Sequence, residues 1–194
     1  MTEELKRSKS TIIRLVAIQL GSTFLGLILA FATIKNDLVH LCASIFCILF
    51  YAVIAYTVSN EWGLADQIKI EGGRLPLSYT RGILIGVCAN IVNFIVGIGA
   101  IVGKLCISNL PFFSGNKEIV ADPAWAGNVY QIFGIISEIL QSMYLGFNNR
   151  FLAGNGLTFI LAPLFSCAVI YAGYTLGQHG WAGLFTGEAK KKNK

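Results

Sequence analysis

The sequence predicts an all-α integral membrane protein, with four transmembrane helices plus one amphipathic helix that is either interfacial or re-entrant. Three observations carry this. Hydrophobic residues make up 55% of the 194-residue chain and charged residues only 13%, whereas a soluble domain carries about 25% charged residues. Four apolar runs reach membrane-crossing length, at residues 12–34, 38–58, 82–104 and 157–177. Positive charge collects in two tails, at Lys6, Arg7 and Lys9 and again at Lys190, Lys191, Lys192 and Lys194. Such tails fix orientation by staying on the cytoplasmic side. They touch anionic lipid, so the net charge of +5 is read as a membrane signature and no nucleic-acid partner is expected.

The first run, from Thr11 to Ile34, is too long for a signal-peptide core and has no small-residue cleavage site after it. It reads as a retained span, with Arg14 snorkelling to the interface and Gly21, Ser22 and Gly26 offering a close-packing face. Lys35-Asn36-Asp37 is a short turn, which makes the first two helices an antiparallel hairpin. His40 lies just inside the second helix and reads as a solvated or capped histidine. Residues 59–81 form the longest hydrophilic stretch between spans and are read as a cytoplasmic loop. Its Asp66 and Glu71 lack any supporting histidine or metal constellation and read as members of a solvated, salt-bridged surface.

The stretch from Gly82 to Lys104 carries the most informative pattern. On a helical wheel Gly82, Gly86, Ala89, Asn90, Asn93, Gly97, Ala100 and Lys104 fall within roughly a 100° arc. Small residues let a neighbouring helix approach closely, and buried amides seek partners across the contact. The stripe therefore predicts a packing seam or a polar cavity wall, with Arg81 and Lys104 snorkelling at its two ends.

Residues 108–123 read as a loop with two prolines. The amphipathic helix follows at 124–147, with Asn128, Gln131, Glu138, Gln141 and Ser142 on one polar face. If this helix entered the membrane, Glu138 would be an intramembrane carboxylate and these residues a polar site. The charge distribution favours four spans with both termini cytoplasmic, which leaves 124–147 on the outer side as an interfacial or re-entrant helix. Pro163 predicts a kink in the last span. Gly173, Gly177, Gly180 and Gly183 form a glycine-rich exit, His179 ends the helix, and the terminal KKNK matches a dilysine retrieval pattern as well as a topogenic tail.

Five cysteines, Cys42, Cys47, Cys88, Cys106 and Cys167, lie in or at the ends of apolar runs without metal-ligand spacing. They read as small buried hydrophobes; no metal and no cofactor is expected.

Trp62-Gly63, Asp66, Gly72-Gly73-Arg74, Arg81-Gly82, Ile85-Gly86 and Ala89-Asn90, followed by Tyr171-Ala172-Gly173-Tyr174-Thr175-Leu176-Gly177, form a pattern over about half the chain. It resembles small multi-span membrane proteins of Gram-positive bacteria to which no function is assigned. The resemblance implies a bacterial cytoplasmic membrane and transfers no catalytic residue. For a eukaryotic chain the endoplasmic reticulum membrane is the alternative.

Function is expected to be non-enzymatic. The leading reading is a protein acting by helix association, as an accessory subunit, scaffold or homo-oligomer, with a membrane-protein partner or a second copy on the Gly82–Ala100 seam. The alternative is a small-solute or ion transporter or channel with its polar site at Asn90, Asn93 and Glu138. A lipid-modifying enzyme would need a nucleophile, acid–base pair or metal cluster that the sequence does not display.

Overall fold

A computed structural model describes residues 2–106, 124–152 and 157–180, and every regular element among them is helical. The expected two-proline loop, the last glycine of the exit, Gly183, and the basic C-terminal tail lie outside the described residues. In order, the helices are α1 (Thr2–Thr33), α2 (Asp37–Glu71), α3 (Thr80–Ala89), α4 (Ile91–Leu105), α5 (Ala124–Leu140), a single 3-10 turn (Ser142–Tyr144), α6 (Leu145–Phe151) and α7 (Thr158–Gln178). Ser8–Thr33 of α1, the whole of α2 and the whole of α7 are long and apolar enough to cross a membrane. The bent pair α3 and α4 makes a fourth candidate by length and composition.

Local chemistry sets the helix boundaries. Asn36 caps α2: its carbonyl takes the His40 N–H at 2.9 Å, and its side-chain oxygen accepts the Val39 N–H at 3.3 Å. At the far end Gly73 adopts φ +67°, and Arg74 N–H returns to the Lys69 carbonyl at 2.9 Å. Only glycine enters that left-handed conformation without a Cβ penalty, so the Gly72-Gly73 pair terminates the helix.

The long hydrophilic loop expected at 59–81 is corrected to a much shorter connection over residues 72–79. The helix continues because Tyr51, Ala55, Ser59, Gly63 and Asp66 are all buried, at spacings of three or four that keep them on one helical face. The stripe turns from apolar to polar without changing period.

Two further expected helices are broken. The run 82–104 divides at Asn90, where α3 and α4 are bent by 66°. The run 124–147 divides after Leu140, passes through the 3-10 turn and resumes as α6.

The described chain forms two compact units, to which α1, α2 and α7 each contribute residues. The first comprises Met1–Ile18, Tyr51–Ala89 and Ser166–Lys194; the second comprises Gln19–Phe50 and Asn90–Phe165. Polar side chains are abundant in the interior of both, among them Gln19, Ser44, Asn60, Asp66, Asn90 and Ser166, each at or below 8% exposure. Large apolar side chains such as Phe24, Phe31, Leu49, Ile95 and Leu164 face outward. Water rewards the reverse distribution, and exposed apolar surface on this scale is consistent with a membrane protein.

Candidate functional site

In the first unit, α2 and α7 meet at backbone contact. A Cβ at Gly63 would strike the Tyr174 carbonyl oxygen, one at Gly177 would strike the Asn60 carbonyl oxygen, and one at Gly173 would lie 2.6 Å from the Tyr56 carbonyl oxygen. This approach carries Tyr174 over Asp66. The Tyr174 hydroxyl donates to Asp66 Oδ2 at 3.1 Å, and Gln178 Nε2 donates to the Tyr174 hydroxyl at 2.9 Å. Lys69 Nζ lies 3.4 Å from Asp66 Oδ1, and Arg81 reaches within 4.0 Å of Oδ2. Trp62 packs on the Tyr174 ring with centroids 5.2 Å apart. Tyr51 and Ser166 add a second buried hydroxyl pair.

Arg81 was expected to snorkel. It is instead buried and turned towards the carboxylate. Asp66 is only 1% exposed, so its carboxylate is withdrawn from solvent. The network's chemistry is that of a clasp: a desolvated carboxylate stabilised by two cations and a hydroxyl, joining α2, α3 and α7.

The second unit is built around the break between α5 and α6, whose freed backbone groups are taken up by side chains from neighbouring helices. Thr23 Oγ1 donates to the Leu140 carbonyl at 3.0 Å, and Ser142 Oγ donates to the Thr23 carbonyl at 2.6 Å. Ser44 Oγ donates to the Met143 carbonyl at 2.7 Å while accepting the Phe147 N–H at 3.2 Å. Those two backbone groups are an i, i+4 pair, so the hydroxyl occupies the place of one helical hydrogen bond. Gly26 makes the approach possible, since a Cβ there would lie 2.6 Å from Met143 N.

Pro163 sets up a similar exchange within α7. It has no N–H to offer the Phe159 carbonyl, four residues back. Gln141 Nε2 donates to that carbonyl at 3.2 Å, and Gly97 leaves room beside it. We expect Gln141→Leu to cost about 1–3 kcal/mol, the penalty for stranding a buried carbonyl. In a Pro163→Ala background the restored N–H takes the same carbonyl, and the cost should fall to a few tenths of that. A double-mutant cycle on thermal or denaturant unfolding measures the coupling.

All eight stripe positions, Gly82, Gly86, Ala89, Asn90, Asn93, Gly97, Ala100 and Lys104, are buried within the chain. A Cβ at Gly82 would lie 2.8 Å from the Tyr174 ring and one at Gly86 3.2 Å from the Cys167 Cα, so α3 rests on α7. Asn90, at the break, accepts a hydrogen bond from Gln19 Nε2 at 3.1 Å. Lys104, expected to snorkel, is only 2% exposed. Further along α4, Gly99 and Gly103 receive Phe133 and Tyr130 of α5.

The polar face expected on 124–147 divides at the break. Gln141 and Ser142 are buried in backbone pairing, while Asn128, Gln131 and Glu138 are exposed. Gly21 was expected in a packing face with Ser22 and Gly26, but a Cβ added there would meet nothing within 4 Å.

Glu138 borders a cavity in the second unit, about 410 Å³ in volume, together with Leu27, Ala30, Phe31, Ile34, Asp37, His40, Leu145, Gly146, Asn149 and Arg150. The cavity lies between the α1–α2 turn and the α5–α6 break. Pockets of this size accept small organic molecules. Half-buried His40 contacts Thr33 Oγ1 through Nδ1 at 3.0 Å. Among the described residues neither Asp37 nor Glu138 is in an ion pair. No group of three His, Cys, Asp or Glu side chains among them is arranged to hold a metal ion.

Sequence reasoning missed the clasp and the cavity. The Gly173-xxx-Gly177 spacing and the polar continuation of the buried stripe on α2 were the signals available for the first. The cavity joins residues more than a hundred positions apart and had no local signal. Together these features define a helical protein with several membrane-length apolar helices, a polar interior and a broken-helix cavity. No family model matches the chain, and neither curated proteins nor solved structures give a match.

Proposed function

We propose that the protein is an integral membrane solute-binding protein serving transport, and that its ligand occupies the cavity bordered by His40, Glu138 and Arg150. The observation that carries this reading is an unpaired carboxylate, Glu138, on a cavity of small-molecule size beside a discontinuous helix. Broken helices are a recurrent way of building solute sites in membranes, since irregular backbone is tolerated there only where protein or a cavity surrounds it. On this reading α1, α2, the α3–α4 pair and α7 span the bilayer, both termini are cytoplasmic, and α5–α6 is a re-entrant element entering from the outer side. Four spans are few for a lone carrier, so the protein works as an oligomer or as the binding subunit of a larger transporter.

The stripe, readable as a packing seam or a cavity wall, is buried inside the chain. Association then uses another surface, with Asn90 paired to Gln19 and Asn93 buried in the interior. The test is ligand-dependent thermal stabilisation of the detergent-purified protein across a panel of cationic, anionic and zwitterionic solutes. At least one solute is expected to raise the melting temperature of the wild type and to leave the cavity-filling variant Ala30→Trp unchanged.

A further inference from the structure

The geometry points to an organic monocation, a protonated amine carrying an apolar body, as the occupant of the Glu138 cavity; this rests on the solute-binding reading above. The charge of the lining is the first argument. Asp37 and Glu138 set two carboxylates against the single guanidinium of Arg150, leaving one negative charge in excess. Neither carboxylate is neutralised by an ion pair with a described residue. A carboxylate at the edge of a low-dielectric region gains most from a cation that brings its own charge to the site.

The second argument is the protonation of His40. The Thr33 hydroxyl has one proton, and it donates that proton to the Leu29 carbonyl at 2.6 Å. The hydroxyl oxygen is then placed to accept from Nδ1–H across its 3.0 Å contact with His40, and that tautomer is the one we assign to the ring. In the neutral ring Nε2 is then an acceptor. His40 thus offers a lone pair, which suits an ammonium N–H and opposes a carboxylate or phosphate.

The third argument concerns what kind of cation fits. A metal ion would need a tight set of ligands, and no such set exists among the described residues. A cavity of about 410 Å³ far exceeds a bare ion, and Phe31 and Leu145 supply apolar lining. An aromatic face beside a cation adds attraction of its own. A primary amine on a hydrocarbon or aromatic body matches charge, hydrogen bonding and shape together.

Equilibrium binding to the full-length protein in detergent, using phenethylammonium, phenylalanine and phenylacetate, tests the assignment. Phenethylammonium is expected to bind and phenylacetate to fail. Glu138→Gln should weaken amine binding at least tenfold, and Asp37→Asn should weaken it several-fold; both positions are exposed, so melting temperatures without ligand should match the wild type. Equal amine binding by the wild type and both variants would overturn the assignment, as would tighter binding of phenylacetate. In either case a ligand still displaced by Ala30→Trp would leave the cavity standing as a solute site. If none of the three probes binds but the wider panel yields an Ala30→Trp-sensitive solute, the cation class alone falls. If the panel is also silent, the cavity reading falls with it.

Discussion

Asp66→Leu is expected to destabilise the protein by about 3–5 kcal/mol, because it leaves the buried Arg81 guanidinium without the carboxylate it faces and removes the acceptor for the Tyr174 hydroxyl. Burial decides the size of the effect. A surface ion pair contributes about 0–1 kcal/mol, but Asp66 and Arg81 are 1% and 7% exposed, so water cannot take over the lost partnership. Asp66→Asn should cost less, since an amide oxygen still accepts from Tyr174. The clasp makes a sharper claim as well: Asp66→Leu combined with Arg81→Leu should be more stable than Asp66→Leu alone, because the second change removes the stranded charge. Unfolding in detergent reads all three. If the double variant lost the sum of the two single effects, the two side chains would not be acting on one another.

A comparable loss is expected at the crossing of α2 and α7. Gly177→Ala places a methyl against the Asn60 carbonyl oxygen, and Gly177→Val adds two more carbons. The obstruction is backbone, which cannot rotate aside, so the helices must separate. Overpacking of this kind costs about 1–3 kcal/mol and occasionally more, and separation would also pull Tyr174 away from Asp66. The valine variant should therefore fail to give a monodisperse folded protein, with the alanine variant intermediate. Gly21→Ala is the internal control. Nothing lies within 4 Å of its added methyl, and alanine is the better helix former by about 1 kcal/mol, so that variant should be neutral or slightly stabilised.

Length and apolar periodicity made the helices legible. The runs at 38–58 and 157–177 needed no tertiary information, because each is apolar enough to specify itself. The stripe from Gly82 to Lys104 is buried along its length, and small residues and amides are what a close-packed interior requires. The break at Asn90 was hidden because a helical wheel assumes an unbroken helix. The polar half of α2 was misread for a related reason. Hydrophilicity alone points to water, but Ser59, Asn60 and Asp66 face protein, and only their spacing records it. The α5–α6 break depends on hydroxyls from Thr23 and Ser44 that lie about a hundred residues away in the chain. No local propensity encodes such an exchange. The cavity is a by-product of that break, and Glu138 could be singled out as chemically unusual but not given its neighbours.

The claim on which the functional account stands is that the Glu138 cavity holds a solute. Thermal stabilisation of the wild type and Ala30→Trp, measured side by side with the same solute, tests it most directly. At a concentration a hundredfold above its Kd, a ligand bound only by the folded state contributes about 2.7 kcal/mol. The account predicts a saturable rise in melting temperature for the wild type and none for Ala30→Trp. A solute that stabilised both proteins equally, or a panel in which no solute stabilised the wild type, would contradict it.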